Sequence, residues 1–129
     1  MKTVYKIVLR DPGGRLLSPF ISGKAAIEYI PGEWIGTPEW LASRGYYPLA
    51  YKSFEAAFGQ AAPFAHLQVW EAEALLIIER DNLPPPLCLK SLKAGSFKQI
   101  FVTWPIDTVM VPKIRLIRPC AAFPNHPGE

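Results

Sequence analysis

The chain has 129 residues, enough for one domain that buries a core without disulfides or a metal. Half of the residues are hydrophobic and 19% are charged, a globular composition that excludes an intrinsically disordered chain. The net charge of +3 is unevenly distributed: basic residues outnumber acidic ones five to one in residues 1–24 and six to one in residues 90–118, whereas residues 25–81 hold three basic and eight acidic residues.

The first thirty residues predict three strands. Thr3–Leu9 is rich in β-branched and aromatic residues, which favour strands. The Asp-Pro-Gly-Gly sequence at 11–14 predicts a tight turn, because proline presets φ and glycine accepts positive φ. The chain then returns along Arg15–Phe20 as the second strand of a hairpin, and Ala25–Ile30 is a third strand that Pro31-Gly32 ends.

Two helices are predicted next. A short helix over Pro38–Arg44 has Thr37 as its N-cap and Gly45 as a left-handed residue after its end. After a short strand, Tyr46–Tyr51, the main helix covers Ser53–Ala62, capped by Ser53 and ended by Pro63. Its apolar residues share one stripe: Phe54, Ala57, Phe58 and Ala61.

The stretch Val69–Arg80 is a predicted strand with two carboxylates, Glu71 and Glu73. Strand residues alternate between faces, so one face is apolar: Trp70, Ala72, Ala74, Leu76 and Ile78. We expect the two phenylalanines of the main helix to rest on Ala72 and Ala74. The carboxylates then project from the opposite side of the sheet, solvated or ion-paired rather than catalytic.

The rest of the chain predicts a stiff connector, a helical turn, three strands and a loose tail: Asn82–Leu87, Leu87–Gly95, Phe97–Trp104, Thr108–Pro112, Lys113–Pro119 and residues 120–129. The predicted fold class is therefore α+β, with a twisted, mostly antiparallel sheet that carries one main helix on one face and a second, short helix. Residues 1–119 form a single domain, followed by the flexible tail.

Few residues in the sequence suit catalysis or a cofactor. The two histidines, His66 and His126, are scattered, and with Cys88 and Cys120 they lack the spacing of a zinc site. No glycine-rich loop leads into a helix in the manner of a phosphate site. No apolar run reaches the roughly 20 residues of a membrane helix, and the N-terminus lacks signal-peptide features. We expect a cytoplasmic protein with no metal or cofactor. Reduced Cys88 and Cys120 are expected in that compartment, with a disulfide between them as the alternative.

An aromatic segment offers a candidate recognition surface. Trp34, Tyr46 and Tyr47 lie between proline-stiffened turns and are the candidate partner-binding residues, with a place in the core as the alternative. Trp40 and Tyr51 are predicted to be core residues. Because this segment is acidic, nucleic acid is a disfavoured partner: stacking platforms for single strands combine aromatic with basic residues.

Three segments give the chain a resemblance to ADP-ribosyltransferase domains: Tyr5-Lys6, "YKSFEAAFGQAA" and "LQVWEAEA". The resemblance implies an NAD site in which Lys6, Ser53 and Glu73 stand at the family's three motifs. The first position is Lys rather than the family's Arg or His, and the "EAE" lies earlier than the family places it. The pattern is also similar to small uncharacterised bacterial and phage domains.

The sequence identifies no reaction, and two functions are carried forward. The first is a small non-catalytic cytoplasmic binding protein whose partner is another protein, such as an inhibitor or adaptor of phage type. The second is an ADP-ribosyltransferase-like enzyme, or a degenerate domain that still binds NAD. A dimer formed through the edge of the N-terminal hairpin is a further possibility, and the oligomeric state is open.

Overall fold

The structure is a computed structural model, and it describes residues 1–19, 26–62, 64, 66–84 and 103–120. Within these residues there are eight strands, two α-helices and one 3-10 turn at Arg80–Asn82. The strands are β1 (Lys2–Arg10), β2 (Leu16–Leu17), β3 (Glu28–Tyr29), β4 (Trp34–Gly36), β5 (Leu49–Tyr51), β6 (Leu67–Ala74), β7 (Thr108–Met110) and β8 (Lys113–Pro119). The helices are α1 (Glu39–Ala42) and α2 (Phe54–Ala61).

The described strands form one antiparallel sheet in the order β3-β2-β1-β6-β8-β4, and β5 pairs with both β1 and β7. The longest pairing joins β1 and β6, from Lys2 opposite Ala74 to Leu9 opposite Leu67. With one main helix and one short helix, this architecture confirms the predicted α+β fold class.

The first turn and the main helix form as predicted. The Asp11 carboxylate accepts hydrogen bonds from the Arg15 backbone and guanidinium, and Gly14 takes a φ of 87° as the turn requires. The Ser53 hydroxyl accepts a hydrogen bond from the backbone N–H of Ala56 at 3.2 Å, which satisfies a donor that the first turn of α2 leaves free. Local sequence is enough to predict both features.

The short helix is confirmed in position, but its predicted cap is wrong. Pro38 occupies the N-cap position of α1, where no side chain caps the helix. The Thr37 hydroxyl instead donates to the carbonyl oxygen of Pro112 at 2.9 Å and so ties the start of α1 to the β7–β8 connection. Gly45 has a φ of 82°, the left-handed conformation predicted for the residue after the helix.

The helix α2 packs on the face of the sheet opposite to the predicted one. Phe54, Ala57 and Ala61 pack in a cluster with Ile7, Tyr51, Leu67 and Val69, whereas Ala72 and Ala74 belong to a second cluster on the other face. The prediction failed because β6 carries apolar residues on both faces, and its strand pattern alone does not say which set meets the helix. We call the α2 side of the sheet the outer face and the opposite side the inner face.

The inner face holds the larger core. It gathers small and branched residues from both ends of the chain: Val4, Val8, Leu16, Ile27, Tyr29, Ala50, Ala72, Ala74, Val109, Val111, Ile114 and Leu116. A third cluster lies against α1 and contains Leu41, Tyr46, Trp104 and Met110. Apolar burial on both sides of the sheet explains why β1 reads as a nearly continuous hydrophobic run.

Some predicted boundaries change. The long strand ends at Ala74, where Leu75 and Leu76 are exposed, and Ile78 forms an isolated bridge with Met110. The aromatic segment contains the strand β4, which none of the predicted elements covers. The last strand, Lys113–Pro119, is confirmed. The predictions that fall on residues 85–102 and 121–129 lie outside the described residues.

Candidate functional site

The open part of the outer face carries a row of three side chains from adjacent strands. Glu73 of β6 lies directly opposite Arg115 of β8, which in turn lies opposite Trp34 of β4. Directly opposite residues of antiparallel strands share a face, so the three side chains meet. Arg115 Nη2 donates to Glu73 Oε1, and the guanidinium carbon lies 4.9 Å from the centre of the Trp34 ring.

A second pair lies beside this row. Nε and Nη2 of Arg118 donate to the two carboxylate oxygens of Glu71, at 3.0 and 3.2 Å. The pair forms across a β-bulge, where Ile117 is the additional residue of β8 between the Ala72–Leu116 and Glu71–Arg118 positions. The bulge keeps Arg118 on the same face as Arg115, so β8 directs both guanidinium groups to the carboxylates of β6.

Glu71 and Glu73 therefore lie on the helix side of the sheet, and the predicted orientation away from α2 is wrong. Glu71 is opposite Tyr5, whose ring makes an edge-to-face contact with Phe54 of α2 at 6.3 Å. Both carboxylates are nevertheless ion-paired, which is one of the two states predicted for them. Their side chains are about 30% exposed, so the charges are shared between an arginine and solvent.

The three residues of the implied NAD site do not converge on one place. Lys6 lies opposite Trp70 and shares the inner face with Val4 and Val8. Glu73 lies opposite Thr3, on the outer face, so the sheet separates its side chain from that of Lys6. Ser53 caps α2, and its hydroxyl donates to the Asp107 carboxylate at 3.1 Å. One ligand could not contact Lys6 and Glu73 together without rearrangement of the sheet.

Lys6 is buried within the inner face. Only 3% of the residue is exposed, and its ammonium nitrogen lies 5.2 Å from the centre of the Tyr29 ring. Burial in apolar surroundings lowers the pKa of Lys6 from 10.5 to about 7, because desolvation disfavours the charged form. No carboxylate among the described residues pairs with it.

Tyr29 and two residues of β6 complete the surroundings of Lys6. The Tyr29 hydroxyl is buried and forms no well-aligned hydrogen bond in the described part of the chain. Burial raises its pKa, and the nearby Ser18 hydroxyl acts in the opposite direction. Nε1 of Trp70, the residue opposite Lys6, donates to Oε1 of Gln68 at 3.1 Å. We call Lys6, Tyr29, Gln68 and Trp70 the Lys6 cluster. A lysine between Val4 and Val8 in an alternating strand was the sequence signal for it.

The aromatic candidates are divided between surface and core. Tyr46 is 6% exposed and lies in the third cluster, so a partner could reach it only if that cluster opened. Tyr47 is half-buried against the same cluster, and Trp34 is half-buried on the outer face. The predicted core position is confirmed for Tyr51, which is 2% exposed. Trp40 is half-buried and packs against the third cluster.

The remaining polar candidates lie apart from one another. His66 is exposed in the turn before β6, at a φ of 69°, and its carbonyl oxygen accepts a hydrogen bond from the backbone of Arg10. Cys120 is a free, half-buried thiol whose pKa is raised by desolvation. Within the described ranges, no three metal-ligating side chains form a group and no helix has the length and apolarity to cross a membrane.

Comparisons with known proteins give no match: no family model, curated protein or solved structure is similar to this chain at a significant level. Functional inference therefore starts from the two arrangements described above. These are the Trp34–Arg115–Glu73 row on the outer face and the Lys6 cluster on the inner face.

Proposed function

We propose that this protein is a small non-catalytic cytoplasmic binding protein, an inhibitor or adaptor, whose partner is another protein that contacts the outer face at Trp34. The observation that supports the proposal is the Arg115 guanidinium held between the Trp34 ring and the Glu73 carboxylate. Tryptophan and arginine are the residue types most enriched among the energetically dominant residues of protein interfaces.

The row is suited to binding because it is held in place before a partner arrives. Each of its residues lies on a different strand. The ion pair restricts the side chains of Glu73 and Arg115, and the contact with the Trp34 ring restricts Arg115 further. Little rotamer entropy is then lost when the surface is covered, so more of the contact energy appears as affinity. Tyr47 lies outside this row, so we assign it no contact.

A catalytic role for Glu71 and Glu73 is disfavoured for a reason that differs from the predicted one. The carboxylates do not point away from α2, but each is neutralised by an arginine of β8. The hydrogen bonds from Arg115 and Arg118 occupy carboxylate oxygens that a general acid or base would need for a proton of the substrate.

Site-specific photocrosslinking from position 113 tests the proposal and leaves Trp34 in place. A photoreactive phenylalanine analogue replaces Lys113, an exposed residue of β8 on the same face as Arg115, and a matched variant carries it at Glu55, an exposed position on α2. In the cytoplasm of the source cells, we expect position 113 to capture a discrete protein that position 55 does not capture. An excess of unmodified protein should remove the crosslink, whereas the same excess of the Trp34→Ala variant should not.

Two outcomes contradict the proposal. One is equal capture from positions 113 and 55, and the other is equal competition by the unmodified protein and by Trp34→Ala. Because Trp34 belongs to a three-residue edge strand, the competitor's fold is checked by circular dichroism and thermal unfolding. Arg115→Lys provides a second competitor, since it keeps the charge and loses the planar group that stacks on the ring.

A further inference from the structure

The inner face contains an amine that has no counter-ion in the described part of the chain. Lys6 is 3% exposed and lies among the apolar side chains of the inner core, and its nitrogen lies over the Tyr29 ring. A buried ammonium without a carboxylate is strongly disfavoured, so burial favours the neutral amine. A neutral amine has a free electron pair and is a nucleophile, which an exposed lysine at neutral pH is not.

Two polar side chains stand beside Lys6 on the inner face: Tyr29, whose ring lies against the Lys6 nitrogen, and Gln68 on the neighbouring strand. The Tyr29 hydroxyl forms no well-aligned hydrogen bond within the described residues, although the nearby Ser18 hydroxyl acts to lower its pKa. In the β1–β6 register Trp70 lies opposite Lys6 and Gln68 lies opposite Val8. Gln68 is therefore the diagonal cross-strand neighbour of Lys6, with the backbone positions of the two residues about 7–8 Å apart. Gln68 uses its amide oxygen to accept from Trp70, which leaves its N–H groups as donors. Such a set of donors is suited to an anion.

We propose that Lys6 is a site of reversible modification by carbon dioxide, which converts its buried amine into a carbamate that the Tyr29 hydroxyl and the Gln68 amide stabilise. The reagent follows from the burial. A group that is 3% exposed is closed to large electrophiles, whereas carbon dioxide is small and uncharged and needs no open channel. It also requires a neutral amine, which is the form that burial provides.

The reaction balances without an oxidant, a reductant or a metal. The electron pair of Lys6 Nζ forms a bond to the carbon of carbon dioxide, and one carbon–oxygen π pair moves onto oxygen. Nζ then releases one proton to water. The product is a carbamate with one N–H and a charge of −1, and loss of carbon dioxide after reprotonation restores the amine.

The modification supplies what the cluster lacks. The carbamate oxygens accept hydrogen bonds from the Tyr29 hydroxyl and from the Gln68 amide, and bonds to a charged acceptor are stronger than those between neutral groups. These two charge-assisted hydrogen bonds offset the cost of burying the anion. The side chain of Lys6 thereby changes from an amine with no hydrogen-bond partner among the described residues to an anion with two donors. Since the site is on the inner face, it is separate from the row at Trp34, and each proposal stands or fails without the other.

Carbon-13 NMR in ¹³C-labelled bicarbonate at pH 7.5–8 tests the proposal directly. We expect a carbamate signal in the native protein that Lys6→Met removes. Lys2→Met, which changes an exposed lysine of the same strand, should keep it. The exposed α-amine of Met1 can give its own carbamate, which both variants retain. Tyr29→Phe should reduce the Lys6 signal by about tenfold or more, the effect of losing one hydrogen bond to a charged group.

Lysine labelled with ¹⁵N at its side-chain nitrogen supplies a measurement in the native protein. A carbamate on a lysine then shows a one-bond coupling between ¹³C and ¹⁵N, which a carbamate of the Met1 α-amine lacks. A coupled carbamate signal that Lys6→Met removes supports the proposal. A native protein without such a signal, or a signal that Lys6→Met leaves unchanged, overturns it. An undiminished signal in Tyr29→Phe overturns the role given to the hydroxyl.

Discussion

The two faces of the β1–β6 strand pair treat charge in opposite ways. On the outer face, Glu71 and Glu73 meet arginines of β8 and keep about 30% of their side chains in solvent. On the inner face, Lys6 is buried and has an aromatic ring in place of a carboxylate. Paired, half-exposed charges cost little, whereas an unpaired buried charge destabilises the fold. The outer charges thus form ion pairs between β6 and β8. Lys6 forms no such ion pair with the described residues of a neighbouring strand.

The largest expected effect on stability comes from replacing Lys6, the buried lysine of the inner face. Because burial lowers the pKa of Lys6 to about 7, the unfolded chain binds one proton more than the folded protein between that pH and 10.5. Stability therefore rises with pH across this window, by up to about 1.4 kcal/mol per unit, and the penalty is complete below pH 7. Lys6→Met should raise the free energy of unfolding at pH 7 by on the order of 4 kcal/mol.

Urea unfolding between pH 7 and about pH 9.5 measures this effect, since tyrosines of the unfolded chain begin to ionise near pH 10. Burial raises the pKa values of Tyr29 and Tyr51, so ionisation of these tyrosines lowers stability above that pH. Lys6→Met should lose the rise with pH, and Lys2→Met should keep it. Equal slopes for the native protein and Lys6→Met would contradict the buried, unpaired lysine.

The Tyr29 hydroxyl gives a smaller effect on the same face. A buried hydroxyl without a partner costs about 1–3 kcal/mol, so Tyr29→Phe should stabilise the protein by about 1 kcal/mol while preserving the ring beneath Lys6. Tyr5→Phe, which changes a half-buried tyrosine of the outer face, is the matched control and should alter stability by less than about 0.5 kcal/mol. Destabilisation by Tyr29→Phe would show that the hydroxyl has a bonding partner.

Double-mutant cycles compare the two outer pairs. We expect a coupling energy of about 1 kcal/mol between Glu73 and Arg115, whose side chains are 29% and 31% exposed. The coupling between Glu71 and Arg118 should be about half of that or less, because the Arg118 side chain is 64% exposed. Glutamine and methionine are the replacements, and both couplings should decrease in 1 M salt. Equal couplings in the two cycles would contradict this order.

Nicotinamide cofactors should have the smallest effect. Because the sheet separates Lys6 from Glu73, we expect millimolar NAD to leave the thermal unfolding temperature unchanged. An increase in that temperature which Glu73→Gln abolished would contradict the geometry. It would favour the alternative function, an ADP-ribosyltransferase-like domain, over the binding protein. An increase that Glu73→Gln left intact would indicate binding elsewhere on the protein.

The sequence predicted the local features well because their causes lie within a few residues. The Asp-Pro-Gly-Gly turn, the Ser53 cap and the left-handed Gly45 each depend on the conformational preference or the side-chain hydrogen bond of one residue. The face that α2 covers was not predictable in this way. Leu67 and Val69 offer one apolar face of β6 and Ala72 and Ala74 offer the other, and both faces are buried.

The candidate site was predicted only in its parts. Trp34 was a candidate recognition residue and the two glutamates were predicted to be solvated or ion-paired, but their common surface depends on the place of β8 between β6 and β4. Tyr46 carries the same local signals as Trp34 and lies in the core, because α1 and Trp104 cover it. Burial is a property of the assembled chain, and the identity of a residue sets only a preference for it.

The sequence by itself determined both helices and most strands of the described residues, the Asp-Pro-Gly-Gly turn, and the division of charge into acidic and basic blocks. The tertiary structure alone decided that these blocks meet, as Glu73 pairs with Arg115 across 42 residues and Glu71 with Arg118 across 47. It also decided that Lys6 is enclosed without such a partner among the described residues. Local preferences act over a few residues, whereas the packing of the whole core determines which strands become neighbours. The neighbouring strands in turn determine whether a charged side chain has a partner.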